Sequence, residues 1–78
     1  MLKYTSYFLY TRKRKDRISI KDEYIEYVMN HYEKEEIQQD GRIRRRAFIN
    51  EEEKYLRVII MPDGITVHNA FYDRTFKR

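Results

Sequence analysis

The most constraining feature of the sequence is a group of four arginines within five residues, Arg42-Ile43-Arg44-Arg45-Arg46, in a segment that otherwise has the pattern of a β-strand. Successive side chains of a strand point to opposite faces, so Arg42, Arg44 and Arg46 would share one face at a spacing of about 7 Å. Guanidinium groups this close together repel one another unless an anion lies among them. The sequence therefore predicts a sheet with one anion-binding face.

The length of the chain allows one small domain. A chain of 78 residues buries roughly 60% of the surface that its unfolded form exposes, which leaves no room for a second core. Cysteine is absent, so packing alone must stabilise the fold. We therefore expect a single α+β domain over residues 1–78.

Apolar residues are too scattered for a membrane segment. No apolar run approaches the roughly 20 residues of a membrane helix, and the first residues lack the apolar stretch of a signal peptide. We expect a cytoplasmic protein with no membrane partner.

Charge is segregated along the chain. The net charge is only +4, but residues 12–17 and 42–46 are basic, whereas residues 21–36 hold six acids and two lysines. Such segregation predicts a dipolar surface with one side that attracts phosphate.

Hydrophobic periodicity predicts one main amphipathic helix over residues 20–31, with Ser19 as its N-cap. Residues 4–10 have β-prone composition but are too few for a firm assignment. We predict an α+β fold in which the helix packs on an antiparallel meander of three to four strands. The predicted strands are residues 35–40, 42–49, 55–61 and 65–72.

The register of these strands follows from two turns. We take Asp63 and Gly64 as the central turn residues and residues 50–53 as a four-residue loop. The predicted pairs are Arg46 with Arg57, Arg44 with Ile59, Met61 with Thr66, Ile59 with His68 and Arg57 with Ala70.

This register divides the side chains between the two faces of the sheet. One face would hold a cationic cluster with two aromatic rings, namely Arg42, Arg44, Arg46, Arg57 and His68 with Tyr55 and Tyr72 nearby. The other face would be apolar and would pack on the helix, through Ile43, Ala47, Ile49, Leu56, Val58, Ile60, Val67 and Phe71.

Arg57 is the most informative residue of this cluster, since it interrupts an apolar strand directly opposite Arg46. At about 5 Å and an effective dielectric of about 20, the two guanidiniums repel by roughly 3 kcal/mol. A bound anion would relieve that repulsion. The alternative is that the protein's own carboxylates Glu35, Glu36 or Asp73, or a chain terminus, neutralise the pair in an internal ion network.

A phosphodiester fits the predicted cluster, because guanidinium groups bind phosphate oxygens bidentately and stabilise a pentacoordinate transition state. Cationic surroundings should lower the pKa of His68 and leave a neutral imidazole as general base. Arg57 or Arg46 would bind the phosphate, and Tyr72 or Tyr55 would orient it or donate a proton. Alternatively, His68 is simply a packed and hydrogen-bonded residue.

The sequence contains no motif for metal or nucleotide binding. Asp63, Asp73 and the run Glu51–Glu53 do not converge on one face in the predicted register, and no P-loop, dinucleotide fingerprint or zinc spacing is present. We therefore expect neither a metal nor another cofactor.

Three segments carry a resemblance to known proteins. They are Gln39-Asp40-Gly41-Arg42-Ile43-Arg44-Arg45, Tyr55-Leu56-Arg57-Val58-Ile59 and Asp63-Gly64-Ile65-Thr66-Val67-His68-Asn69-Ala70-Phe71-Tyr72-Asp73-Arg74. In these segments the sequence resembles small cyanobacterial proteins that are similar to BrnT-like and RelE/ParE-like toxins of bacterial toxin–antitoxin pairs.

The resemblance implies a compact α+β fold, RNA cleavage as the activity and a small antitoxin that covers the basic face. Together with the absence of a metal pattern, the expectation is a toxin-like endoribonuclease that needs no metal. The expected catalytic residues are His68, Arg57, Arg46 and Tyr72. The expected RNA-binding residues are Arg42, Arg44, Arg45, Tyr55 and Arg74. An exposed strand edge also allows a homodimer.

Other functions fit the same arginines. One is a non-enzymatic RNA- or DNA-binding module, and another is a protein-interaction domain that docks an acidic partner. Inhibition of gyrase, found in one branch of the resembled toxins, is a further alternative.

Overall fold

A computed structural model describes residues 2–15 and 17–73. The fold is α+β, with a five-stranded mixed sheet and two helices in the described ranges. The elements are β1 (Lys3–Tyr4), α1 (Ser6–Thr11), α2 (Asp22–His31), β2 (Lys34–Ile37), β3 (Ile43–Ile49), β4 (Lys54–Ile60) and β5 (Thr66–Asp73). The strand order in the sheet is β1-β5-β4-β3-β2.

Strands β2 to β5 form the predicted antiparallel meander. The structure adds a fifth strand, because β1 pairs in parallel with the start of β5. The predicted sheet of three to four antiparallel strands was therefore too small, and one edge of the meander is covered by the N-terminal segment. Neither helix has the length and apolar character of a membrane span in the part of the chain that the structure describes.

The β-prone residues 4–10 are divided between a strand and a helix. Thr5 follows β1 and caps α1, since its Oγ1 accepts a hydrogen bond from the backbone N–H of Phe8 at 3.1 Å. The Phe8 side chain is fully buried and packs edge-on against Tyr4, with ring centroids 5.3 Å apart. A cap and one buried aromatic ring thus stabilise a short helix that local propensity does not predict.

Helix α2 begins at Asp22, two residues later than predicted, and Ser19 is not its N-cap. The N-cap is Lys21, which makes no side-chain capping bond. The carboxylate of Asp22 instead accepts hydrogen bonds from Arg12 at 2.7 Å and from the Tyr4 hydroxyl at 2.8 Å. These donors, Arg12 first, lower the pKa of Asp22. The helix start is therefore tied to the N-terminal segment.

Both helices contribute to a core on one face of the sheet. Ile25 and Val28 of α2 and Phe8 of α1 are fully buried there. The sheet residues of this core are Ala47, Ile49, Leu56, Val58, Ile60, Val67 and Ala70. We call this side of the sheet the helix face, and the opposite side, which carries Arg44, Arg46, Arg57 and Phe71, the arginine face.

The predicted pairing of β3 with β4 is confirmed. Arg46 lies opposite Arg57, and Arg44 lies opposite Ile59. A four-residue loop at positions 50–53 sets this register, as the sequence indicated.

The predicted pairing of β4 with β5 is confirmed only near the turn. Met61 N donates to Thr66 O at 2.8 Å and Ile60 pairs with Val67, as predicted. A β-bulge then inserts His68, so that Ile59 pairs with Asn69 and Arg57 with Phe71 rather than with Ala70. A shift of one residue exchanges the two faces of a strand.

Because of the bulge, four side chains lie on the face opposite to the one that the predicted register gives them. Phe71 and Asp73 lie on the arginine face, whereas Ala70 and Tyr72 lie on the helix face opposite Val58 and Leu56. The sequence predicted the reverse for Phe71 and Tyr72. No glycine marks the bulge, so the sequence offers no local signal for it.

Phe8 should be the residue that holds α1 on the sheet. We expect Phe8→Ala to lower the free energy of unfolding by about 3–5 kcal/mol, because it removes a fully buried ring. Tyr10→Ala, in the same helix but 72% exposed, should change it by less than about 0.5 kcal/mol. Urea denaturation followed by circular dichroism measures both values, and equal values would contradict the docking of α1 through Phe8.

Candidate functional site

The structure brings together most of the predicted site residues. The residues on the arginine face are Arg42, Arg44, Arg46, Tyr55, Arg57 and His68. Arg45 and Tyr72 lie on the helix face. Arg74 lies outside the described residues.

Arg46 and Arg57 share one carboxylate of the protein, that of Asp73. Asp73 Oδ2 accepts a hydrogen bond from Arg57 Nη2 at 2.5 Å and lies 3.6 Å from Arg46 Nη1. The three side chains are only 5%, 20% and 10% exposed for Asp73, Arg57 and Arg46 respectively. The expectation of an unrelieved pair of arginines is therefore wrong, and the internal ion network is the alternative that the structure shows.

The bulge at His68 explains why Asp73 reaches the pair. Asp73 lies opposite Tyr55 on the arginine face, two residues from Phe71, which is itself opposite Arg57. In the predicted register Asp73 would have pointed to the helix face. The sequence analysis included Asp73 among the candidate counter-charges, but the face of the sheet on which Asp73 lies depends on the bulge.

The sequence analysis did not predict that Arg17 contacts the arginine face. Arg17, in the loop before α2, donates from Nη1 to Asn69 Oδ1 at 2.8 Å, and its Cζ lies 5.6 Å from the centroid of the Phe71 ring. Arg57 Cζ lies 5.9 Å from the same centroid. Phe71 is therefore in contact with two cations. The basic run 12–17 was the available signal, but it gave no indication of which arginine would reach the sheet.

Arg44 is held by a neutral group. With the Gln38 amide turned so that its oxygen faces Arg44, this oxygen accepts from Nη2 at 2.6 Å and from Nε at 3.2 Å. Glu36 lies opposite Arg44 on β2, yet Arg44 forms no ion pair within residues 2–15 and 17–73. The positive charge of Arg44 is therefore not cancelled by a contact carboxylate in that part of the chain.

Arg42 lies at the exposed end of the arginine face. Its Nε is 3.4 Å from Asp40 Oδ2, and its side chain is 40% exposed. An ion pair as exposed as this contributes about 0–1 kcal/mol, so a stronger anionic ligand can compete for the guanidinium.

His68 is held by the N-terminal segment. Its Nδ1 is 3.2 Å from Thr5 Oγ1, and the Tyr7 ring stacks on the imidazole with centroids 5.0 Å apart and planes 22° apart. Burial and then the charge of Arg42 lower the pKa of His68 below its usual value of 6.5, with Asp40 opposing them. The lowered pKa favours the neutral form of the imidazole near pH 7.

Arg45 has a structural position rather than the predicted RNA-binding one. It donates to Glu35 Oε2 at 2.7 Å and to the backbone oxygen of Met29 at 3.1 Å, and its Cζ lies 4.6 Å from the centroid of Tyr32. A cation that binds a carbonyl in the last turn of a helix also interacts favourably with the helix dipole. Arg45 thus joins β3 and β2 to the end of α2.

The two predicted tyrosines are placed differently from each other. Tyr55 is buried on the arginine face, and its hydroxyl donates to Glu33 Oε1 at 3.3 Å. The Tyr72 hydroxyl is buried without a hydrogen-bond partner among the described residues, and burial first, then Glu52, raises its pKa to about 12. Because Tyr72 lies on the helix face, it cannot donate a proton to a ligand on the arginine face.

Acidic and imidazole side chains do not converge in a metal-like group anywhere in the described ranges. Comparison with known protein families, with curated proteins and with solved structures found no match.

The Asp73 carboxylate should be essential for stability. We expect Asp73→Asn to lower the free energy of unfolding by about 3 kcal/mol or more, because it removes the buried carboxylate that Arg46 and Arg57 share. Adding Arg57→Met to that variant should recover much of the loss, since the repulsion is then removed. Denaturant titrations measure both effects.

Asp40→Asn is the matched control, because it removes the same charge from an exposed ion pair. It should change the free energy of unfolding by less than about 1 kcal/mol. An Asp73→Asn variant as stable as Asp40→Asn would show that the buried network contributes little.

Proposed function

We propose that the exposed end of the arginine face binds the phosphate backbone of RNA through Arg42 and Arg44. The observation that carries the proposal is the Arg44 guanidinium, which is held on a strand by the neutral Gln38 amide with no carboxylate in contact among the described residues. Keeping a cation in place without neutralising it is the arrangement that an anion-binding site needs.

Geometry supports phosphate as the anion. Two hydrogen bonds to Gln38 fix the plane of the Arg44 guanidinium, and a planar guanidinium with fixed donors binds phosphate oxygens in pairs. Arg42 lies two residues along the chain, so the two cations match neighbouring phosphates of an extended backbone. Its exposed pair with Asp40 is weak enough to be exchanged for a phosphate.

A further donor lies deeper in the same face. Arg57 Nε is buried without an acceptor among the described residues. Buried N–H groups are almost always hydrogen-bonded in folded proteins, so an unpaired one supports an acceptor supplied by a ligand or a solvent molecule.

The choice of RNA rests on the neighbouring His68 and on the resemblance to bacterial toxins. The proposal also includes a RelE/BrnT-like arrangement and a small antitoxin that covers the basic face, both implied by the resemblance, together with the cytoplasmic location and the homodimer expected from the sequence. A protein-interaction domain that docks an acidic partner uses the same arginines, and the first experiment separates it from RNA binding.

Binding of a single-stranded RNA in EDTA, measured by fluorescence anisotropy at several salt concentrations, tests the proposal. We expect affinity to fall as salt rises, by about 0.7 log units per tenfold increase in salt for each phosphate contact. Arg42→Gln and Arg44→Gln should each weaken binding and lower the slope by about 0.7.

Lys21→Gln is the control, because Lys21 is an exposed cation at the start of α2, on the helix face. It should leave the slope unchanged. Absence of binding at low salt, or equal effects of all three variants, would contradict the proposal and favour an acidic protein partner.

RNA cleavage is a second candidate, and the lowered pKa of His68 favours it. A neutral imidazole could remove the 2′-hydroxyl proton, so that the 2′-oxygen bonds to phosphorus and the bond to the 5′-oxygen breaks, with the leaving 5′-oxygen protonated by solvent. The Arg42 guanidinium would stabilise the negative charge on the phosphoryl oxygens. The ion pairs of Arg46 and Arg57 with Asp73 and the position of Tyr72 weaken this candidate, since both alter the predicted catalytic set.

If His68 is a general base, His68→Ala should lower the cleavage rate by about 10²–10⁴-fold and retain RNA binding. The wild-type rate should stay constant across neutral pH and fall only below pH 6.5, because the lowered pKa keeps the imidazole neutral to lower pH than usual. Single-turnover cleavage in EDTA measures both, with a 2′-deoxy oligonucleotide as the uncleavable control. Intact RNA after incubation with abundant wild-type protein would leave binding as the function.

A further inference from the structure

We propose that α1 presents Tyr7 and Tyr10 as a stacking surface for bases, so that the ligand of the arginine face is single-stranded rather than duplex RNA. This inference rests on the proposed function and names the class of nucleic acid. It assigns a binding role to two residues that the sequence did not single out.

Helix α1 exposes unusually large apolar side chains for its length. Of its six residues, Phe8 and Thr11 are buried, whereas Tyr7 is 50% exposed and Tyr10 is 72% exposed. The two tyrosines are three positions apart, so they lie on the same side of the helix. The core therefore uses Phe8, and the tyrosines remain available to a ligand.

The exposed tyrosines are continuous with the cationic site. The Tyr7 ring stacks on His68, which lies close enough to Arg42 for the arginine charge to lower its pKa. A hydrogen-bond distance of 3.2 Å between His68 Nδ1 and Thr5 Oγ1 fixes the imidazole against the N-cap of α1. Aromatic rings and guanidinium groups therefore follow one another across the edge of β5.

This sequence of groups suits a single strand. Proteins that bind single strands combine cations that follow the backbone with aromatic rings on which bases stack, and stacking is tolerant of sequence. In a duplex the bases are already stacked on one another, so Tyr7 and Tyr10 would have no faces to contact. Phosphates at Arg42 and Arg44 and a base on Tyr7 define one path for the strand.

A second tyrosine–histidine pair provides an internal comparison. Tyr27 and His31 of α2 also have ring centroids 5.0 Å apart, and Tyr27 is 47% exposed. The neighbours of that pair include the acids Glu23 and Glu26, which repel a phosphate backbone. Similar aromatic exposure thus occurs in two electrostatic settings: acids line the surface beside Tyr27 and His31, whereas the charge of Arg42 reaches the Tyr7–His68 pair.

The experiment compares three ligands by fluorescence anisotropy in EDTA: a single-stranded RNA of about 12 nucleotides, within the range of known site sizes, a duplex of the same sequence, and an abasic strand of the same length. We expect the single strand to bind most tightly. Tyr7→Ala and Tyr10→Ala should each weaken its binding by at least about fivefold, with no change in the salt slope and no effect on the abasic strand.

Two further variants separate stacking from general disturbance of the fold. Tyr7→Phe keeps the aromatic face and should keep wild-type affinity, which a merely destabilising substitution would not restore. Tyr27→Ala removes an equally exposed tyrosine from α2 and should have no effect on any of the three ligands.

The outcomes distinguish this inference from the proposed function. If the abasic strand and the duplex bind as tightly as the single strand, or if Tyr7→Ala and Tyr10→Ala change nothing, base stacking is refuted while phosphate binding by the arginine face stands. If wild-type protein binds none of the three ligands, the proposed function fails and the inference fails with it.

Discussion

The pairing of the two central strands depends on one carboxylate that two arginines share. Arg46 and Arg57 are cross-strand neighbours in the two central strands of the meander, and Asp73 contacts both of them in a largely buried position. Two guanidiniums at that distance would oppose folding without a counter-charge. The side of β5 on which Asp73 lies is set by the bulge at His68. The bulge, the ion network and the pairing of the central strands are therefore one structural unit.

The arginines of β3 have different environments because a strand separates neighbouring residues between two faces. Arg46 pairs with Asp73, Arg45 joins the sheet to the last turn of α2, and Arg44 is held by the Gln38 amide. The arginines of this run thus fall into two groups, those that stabilise the fold and those that remain available to bind a ligand. The available charges, Arg44 and the half-exposed Arg42, lie towards the end of the sheet where His68 and α1 meet. This division locates the proposed binding site.

The N-terminal segment connects the core to that site. Phe8 anchors α1 in the core, Thr5 caps the helix and contacts His68, and Tyr7 stacks on the same imidazole. The short strand β1 places these residues beside β5 by pairing with it in parallel. Residues close together in the sequence therefore stabilise the fold and shape the exposed surface at once, through alternating buried and exposed side chains.

Local pattern was sufficient for the main helix, the strands of the meander and the register of β3 on β4, because hydrophobic period and loop length act over short distances. It also identified the opposed pair Arg46 and Arg57, and Asp73 as one candidate counter-charge. Tertiary structure decided the bulge at His68, and with it the faces of Phe71, Tyr72 and Asp73. The position of this bulge depends on packing across the whole sheet, so no residue near His68 indicates it in the sequence. The reach of Arg17 onto Phe71 and the helical state of α1 likewise depend on contacts between distant residues, which no short stretch of sequence contains.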